Sequence, residues 1–542
     1  MEHWPTRLTS LDRFLNRFTR LRPGEGGSVT AFFTYALLMM VSYYILKTIR
    51  EPLLLTGSSA EMKSYAYAVT ALVLLFLIPL YGLVFRHTGK QQLTRWVTGF
   101  FLINMGIFYL LGRAGIDIGF AYYVWVGVFS VLITAQFWAF AADSYNVKSG
   151  KRLFPLIMVG ATLGGLVAPW LSGALFPIVG PWALLLAAMV LLALTIPFVG
   201  RARASVPPGS SSQATEGNEK KDGGILGGLS LVLTDRYLFL VAVLIVLLNW
   251  VNTTGEYILA ELVVRYADSA VAAGSELSKS DLIASFYGNF FFIVNLLTLL
   301  FQVFLVARII RRIGIMGALF VLPLIAIVGY SLVAFIPIFS IFRLVKIMEN
   351  STDYSLMNTT RHALYLPLSA AQKYEGKTTI EAFFWRFGDL AQAGMIYAGL
   401  NWFQFGTGHF AMVNVVLSFF WLLVAWQVGR EYRKKQTVQG ESLPPRLHHR
   451  PRDRFLPHGE AFDFALSGNT FVSPYEGDVM TFEAVLEGED DLPSWLEFDS
   501  EELAFRGVTP ADIGPETVLT IWATDFDGAW AEGRLVLRHD SA

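Results

Sequence analysis

Runs of about twenty predominantly apolar residues recur along most of this chain, and they constrain its fold more than any motif does. A helix rises ~1.5 Å per residue, so ~20 apolar residues cross the ~30 Å hydrocarbon core of a bilayer. Twelve such runs fit, at about 29–51, 65–86, 93–112, 119–142, 153–177 and 181–200, then 236–259, 281–309, 313–335, 338–360, 378–402 and 408–428. The run at 338–360 is the least apolar. Charged residues make up 16% of the 542, against ~25% in soluble domains. The chain reads as a polytopic membrane protein whose first partner is the lipid bilayer. Its net charge of −1 provides no field that would attract nucleic acid. Cysteine is absent, which excludes disulfides, thiolate metal ligands and thiol nucleophiles. No P-loop, HExxH or Gly-x-Ser-x-Gly pattern occurs, so neither an enzyme nor a metal or cofactor site is expected.

Basic residues give an orientation. Arg13, Arg17, Arg20 and Arg22 precede the first run. Arg86, Lys90 and Arg95 follow the second, Lys151 and Arg152 the fourth, Arg308, Arg311 and Arg312 the eighth, and Arg430, Arg433, Lys434 and Lys435 the twelfth. Alternate loops are basic, which predicts an inner-membrane protein with both termini in the cytoplasm. Residues 1–28 read as an amphipathic surface helix, with Leu11, Phe14, Leu15 and Phe18 on one side. Residues 201–235, rich in Ser, Gly and Pro and carrying Lys220 and Lys221, read as a cytoplasmic linker. The expected fold is therefore all-α, with twelve transmembrane helices in two six-helix halves, 29–200 and 236–430. This is the major facilitator layout. A weak echo between the halves supports it. The segment from Gly82 to Lys90 follows the second run, and that from Arg308 to Gly314 follows the eighth. Both combine basic residues with the glycine that a tight turn needs.

Polar residues share faces on several spans. Lys47, Arg50 and Glu51 end span one beside Tyr43 and Tyr44. Asn249, Asn252, Thr253 and Glu256 fall within an arc of about 100° on span seven. Arg343, Lys346, Glu349 and Asp353 fall within about 120° on span ten, with Arg361 beyond. Glu381, Trp385, Asp389 and Gln392 line span eleven, with Arg386 to one side, and span four adds Gln136 and Asp143. Spans one, seven, ten and eleven carry six basic and six acidic groups, so charge sign alone does not name a substrate. A charge within a span costs ~2.5–3.5 kcal/mol on insertion scales and marks either a functional path or a structural pair. Lys47 and Arg50 also fit a wet helix end, with their heads snorkelling to the interface. Tyr43, Tyr44, Trp250 and Trp385 either stack on a planar ring or pack.

The stretch from Tyr44 to Thr56, Tyr-Ile-Leu-Lys-Thr-Ile-Arg-Glu-Pro-Leu-Leu-Leu-Thr, resembles the first span of the ATP:ADP antiporter family of plastids and intracellular bacteria. Phe137 to Ala141, Lys151 to Leu156, Asn249 to Val251, Ser285 to Gly288, Leu366 to Leu368, Gly376 to Glu381 and Arg386 to Gly388 agree with it in order. The resemblance covers about 28–430. It implies a secondary transporter that moves an anionic, nucleotide-like metabolite by alternating access, through exchange or proton symport. The family's span-one lysine matches Lys47, whereas its span-seven glutamate falls at Asn252 and its span-eleven lysine at Asp389. On this reading Lys47, Arg50, Tyr43, Asn249, Asn252, Glu256, Arg343 and Lys346 bind substrate, while Glu51, Glu349, Asp353 and Asp389 gate or carry protons. The rival reading is a non-transporting scaffold whose tail recruits a partner.

That tail follows a linker at 431–457. Residues 458–542 alternate in short apolar runs such as Leu496 to Phe498 and Val518 to Thr524, which reads as a β-sandwich. The module resembles cadherin-like, dystroglycan-type immunoglobulin domains, and its inferred cytoplasmic side suggests a docking role toward a protein partner. Asp525, Asp527 and Gly528 read as turn chemistry rather than a calcium site.

Overall fold

The computed structural model describes all residues except 1–9, 17–20, 22–23, 88–89, 146, 207–223, 337, 369–371, 440–444, 474–479, 490, 501, 511, 525–529 and 540–542. The Lys220–Lys221 linker and the Asp525–Gly528 hairpin lie outside the described residues, as does most of the amphipathic N-terminus.

In lipid every backbone group must be satisfied within its own segment, so the apolar runs become helices. Eight helical stretches are long and apolar enough to cross a membrane. Two of them, Arg152–Ala202 and Lys279–Phe335, contain 51 and 57 residues. Each is far too long for one pass. Each also breaks at a glycine with positive φ, Gly180 (74°) and Gly314 (69°), a conformation that side chains with a Cβ resist. Gly314 is the turn glycine of the second basic segment. Two further passes, 339–363 and 372–401, carry too much charge to count by hydropathy. The order is thus twelve spans. Span one runs Glu25–Leu55, span two Glu61–His87, span three Lys90–Arg113 and span four Gly119–Ser144. Spans five and six meet at Gly180. Span seven runs Arg236–Ala272, spans eight and nine meet at Gly314, and span twelve runs Thr407–Gln439. Asp235 caps span seven through the amides of Tyr237 and Leu238, and Ser278 with Asp281 forms a capping box on span eight.

The helical unit has two main hydrophobic cores. One gathers residues between Leu21 and Val206 together with Ala284, the other residues between Val232 and Tyr432 together with Leu55 and Ala60. Each is centred on one half, and the exchanged residues mark where the halves pack together. Polar pairs join the halves near the end that carries loop 56–60. Asn295 Nδ2 donates to Gly165 O at 2.6 Å, Ser285 Oγ to Gly173 O at 3.2 Å, and Gln392 Nε2 to Ser64 Oγ at 2.9 Å. Spans five and eight cross there glycine on glycine. A Cβ added at Gly288 would lie 2.6 Å from both Gly173 Cα and Pro169 O. Gly288→Val is therefore expected to wedge the halves apart and cost about 1–3 kcal/mol, as overpacking does. Thermal unfolding of the solubilised chain measures this, and an unchanged Tm would show that the crossing does not hold the halves.

Arg433–Ala542 forms a second compact unit. A four-stranded sheet contains Arg454–Leu456, Trp530–His539, Glu516–Thr524 and Thr481–Leu486 in that spatial order. A three-stranded sheet contains Ala461–Ala465, Ala504–Val508 and Leu496–Asp499. Alternate residues point inward, so Leu519, Ile521, Leu535 and Leu537 meet Phe505 and Leu496 in one core. This is an immunoglobulin-like sandwich.

Candidate functional site

Span one stays helical through Pro52 to Leu55, so Tyr43, Lys47 and Arg50 follow one another along one face. All three line a cavity of about 280 Å³ between the halves. Asn249, Asn252 and Glu256 of span seven line the same space, with Asn350 and Tyr354 of span ten and Trp385, Arg386 and Asp389 of span eleven. Spans ten and eleven each contain a π-helical turn beside the cavity, Asp353–Met357 and Ile380–Phe384. Such turns re-aim the side chains around them and recur at functional sites.

A chain of buried ion pairs forms one wall. Glu51 takes Arg50 Nε on Oε1 and Lys63 Nζ on Oε2, each at 3.1 Å. Lys63 also reaches Glu256 Oε2 at 3.2 Å and Tyr287 Oη at 3.3 Å. Lys346 Nζ lies 3.7 Å from Glu256 Oε1 and 3.3 Å from Glu349 Oε2, and it donates to Asn252 Oδ1 at 2.5 Å. Tyr123 donates to Glu51, Asn350 to Glu256 and Tyr330 to Glu349. Glu51 and Lys63 belong to the first half, Glu256 and Lys346 to the second. Lys63 is therefore the strut between them. Ion pairs this deep gain little net stability but fix geometry, because breaking one strands a charge. On the far side, Asp389 Oδ1 accepts from Asn249 Nδ2 at 2.7 Å, and its Oδ2 lies 3.4 Å from Arg386 Nη1.

Lys47 differs from these cations. Among the described residues its ammonium meets only ring faces, Phe291 at 4.3 Å and Tyr44 at 5.4 Å from the centroids. No carboxylate answers it. It is a partly exposed cation on a cavity wall, poised over aromatic rings.

The predicted site residues do not all converge. Lys47, Arg50, Tyr43, Asn249, Asn252, Glu256 and Asp389 reach the cavity. Lys346, Glu51 and Glu349 are buried behind it in the ion-pair chain, and Asp353 is buried in the π turn. Arg343 stands apart toward the start of its helix, over Phe286 at 5.6 Å. Glu381 leaves the group as well, facing His362 at 4.0 Å. Lys63, Asn350 and Tyr287 were not anticipated. Lys63 lies in the first turn of its helix, where a lysine ordinarily reaches water, yet it is fully buried.

Comparison with known proteins adds kinship to this geometry. Residues 338–432, which hold spans ten to twelve, match the family described as TLC ATP/ADP transporter. The ADP,ATP carrier protein 1 of Chlamydia trachomatis is 23% identical over 311 residues, 49% of this chain and 56% of the carrier. That of Chlamydia pneumoniae is 23% identical over 370 residues, 58% of this chain and 68% of the carrier. Over spans ten to twelve and in these alignments, the helical unit is similar to ADP,ATP carriers. The chain spans little more than half the length of the first of these curated relatives. Those relatives are carriers, not enzymes. The family match includes the blocks from Leu366 to Leu368, Gly376 to Glu381 and Arg386 to Gly388.

Solved structures show the same fold. The nucleoside transporter NupG superposes with a TM-score of 0.53 over 75% of this chain and 99% of its own, at 14% identity. A POT family transporter in complex with 5-aminolevulinic acid gives 0.55 over 75% and 96%, at 13% identity. At such identities the likeness shows the architecture alone, a helical bundle of major facilitator type. Residues 444–537 match a putative Ig domain, in keeping with the sandwich of the second unit.

Proposed function

We propose that the helical unit moves a nucleotide across the membrane by alternating access, with the cavity beside Lys47 as its binding site. The observation that carries this reading is Lys47 itself, an ammonium without a carboxylate partner among the described residues, on the wall of a cavity between two pseudo-equivalent halves. An unmatched cation within a span is costly unless a ligand answers it. Arg50, Arg386 and the amides of Asn249 and Asn252 surround the same space, and Tyr43 and Trp385 offer flat faces to a base. The relatives' names, ADP,ATP carrier, point to the same chemistry.

The polar contacts near loop 56–60 are the reversible kind that a gate requires. By the distribution of basic loops, that loop lies on the outer side of the inner membrane and both termini lie in the cytoplasm. The conformation then has its outer end closed by Lys63, Ser64 and the Gly173–Gly288 crossing. Glu51, Glu256, Glu349 and Asp389 are the groups placed to rearrange, or to carry protons, as the halves rock. Arg343, set apart from the cavity, is assigned no role in binding.

The test is uptake by proteoliposomes containing the purified full chain. Labelled adenine nucleotides should accumulate, and preloaded unlabelled nucleotide should accelerate their entry if the step is exchange. Liposomes that take up no nucleotide above protein-free controls, in either direction of loading, would overturn the reading.

A further inference from the structure

We infer that the nucleotide accepted here carries a single phosphate group, in preference to its di- and triphosphate forms. This rests on the transport reading above and adds the charge of the substrate to it. Glu51, Glu256 and Glu349 are met by Arg50, Lys63 and Lys346, and Asp389 is met by Arg386. Asp353 and Arg361, about two turns apart on span ten, add one charge of each sign. Arg343 and Glu381 stand elsewhere. Lys47 is left over. At ordinary ionisation the described residues around the cavity thus carry one positive charge beyond their own carboxylates.

A charge without a counter-charge is penalised in a site poor in water, whichever molecule brings it. A phosphomonoester carries about −1.5 to −2 near neutral pH. Every further phosphoryl unit adds negative charge that no cation here remains to receive. Unpaired charge set against the wrong ligand is a common source of specificity. Size points the same way, because 280 Å³ lies at the lower edge of the roughly 300–1,000 Å³ usual for small-molecule sites.

Calorimetry on the full chain in nanodiscs of neutral lipid tests this. EDTA keeps the nucleotides free of divalent cations, and the series is adenosine, AMP, ADP and ATP. AMP is expected to bind tightest, with ADP at least tenfold weaker and ATP weaker again. Asp389→Asn removes one carboxylate at constant size and leaves Arg386 as a second unmatched cation. It should narrow the AMP-to-ADP ratio at least tenfold, a change of order that misfolding would not produce, since misfolding weakens the whole series together. Affinity that holds or rises from AMP to ATP in the wild type overturns the inference and leaves nucleotide transport standing. An Asp389→Asn protein that keeps the wild-type ratios also overturns it. Failure of AMP, ADP and ATP alike to bind overturns the inference and the transport reading together.

Discussion

Lys47→Gln is expected to weaken nucleotide binding by about one to two orders of magnitude while leaving the empty protein at least as stable as the wild type. The two halves of this expectation have separate causes. A charge-assisted contact to a phosphate contributes ~1.5–3 kcal/mol, so its loss should raise Kd by roughly 10- to 150-fold. Glutamine keeps most of the chain length and can still donate a hydrogen bond, so what it loses is the charge. In the unliganded protein, however, Lys47 pairs with no carboxylate among the described residues and meets only Phe291 and Tyr44. Removing it strands nothing. Titration calorimetry and thermal unfolding, run on the same preparations, separate the effects. Unaltered binding would mean that Lys47 only snorkels at the end of its helix. A fall in the Tm of the empty protein would mean that it supports the fold through a partner not seen here.

What the sequence made legible follows from the kind of information periodicity holds. Apolar length located most of the twelve spans, because a bilayer imposes one thickness on every pass, whereas the tenth and eleventh are too charged to stand out by hydropathy. The glycine of the second basic segment was readable as a turn, and Gly314 does adopt positive φ. Alternation in the tail was enough for a sandwich. A helical arc, by contrast, gives azimuth and not depth. Arg343 and Lys346 share a face, but Arg343 lies one turn nearer the helix start, over Phe286, while Lys346 reaches Asn252 and Glu256. Lys63 was missed for a different reason. Its hydropathy places it in the loop ahead of a span beginning near 65, whereas the helix begins at Glu61. Nothing periodic links it to Glu256, 193 residues away. Only the packing of the two halves brings them together.

Lys63→Met should be strongly destabilising for the helical unit, because Lys63 answers two carboxylates at once and these belong to different halves. Its ammonium lies 3.1 Å from Glu51 and 3.2 Å from Glu256, and the side chains of Lys63 and Glu51 are each 1% exposed. Removing one partner of a buried pair costs about 3–5 kcal/mol, since the surviving charge stays desolvated. Methionine fills a similar volume, so little of the loss would come from a cavity. Glu256 retains Lys346 and Asn350 as partners, and Glu51 retains Arg50 and Tyr123, which softens the loss without cancelling it. The consequence should also be directional, because this strut joins the halves at one end. In a Ser64→Cys background, possible because the chain has no cysteine, Lys63→Met should speed labelling of residue 64 by a membrane-impermeant maleimide. Adding Glu256→Gln to Lys63→Met should recover part of the stability, since the second change removes one stranded charge. Coupled neighbours of this kind deviate from additivity by about 0.5–3 kcal/mol. Additive losses in the double variant, or a Lys63→Met protein that melts and labels like its parent, would show that Lys63 does not hold the two halves together.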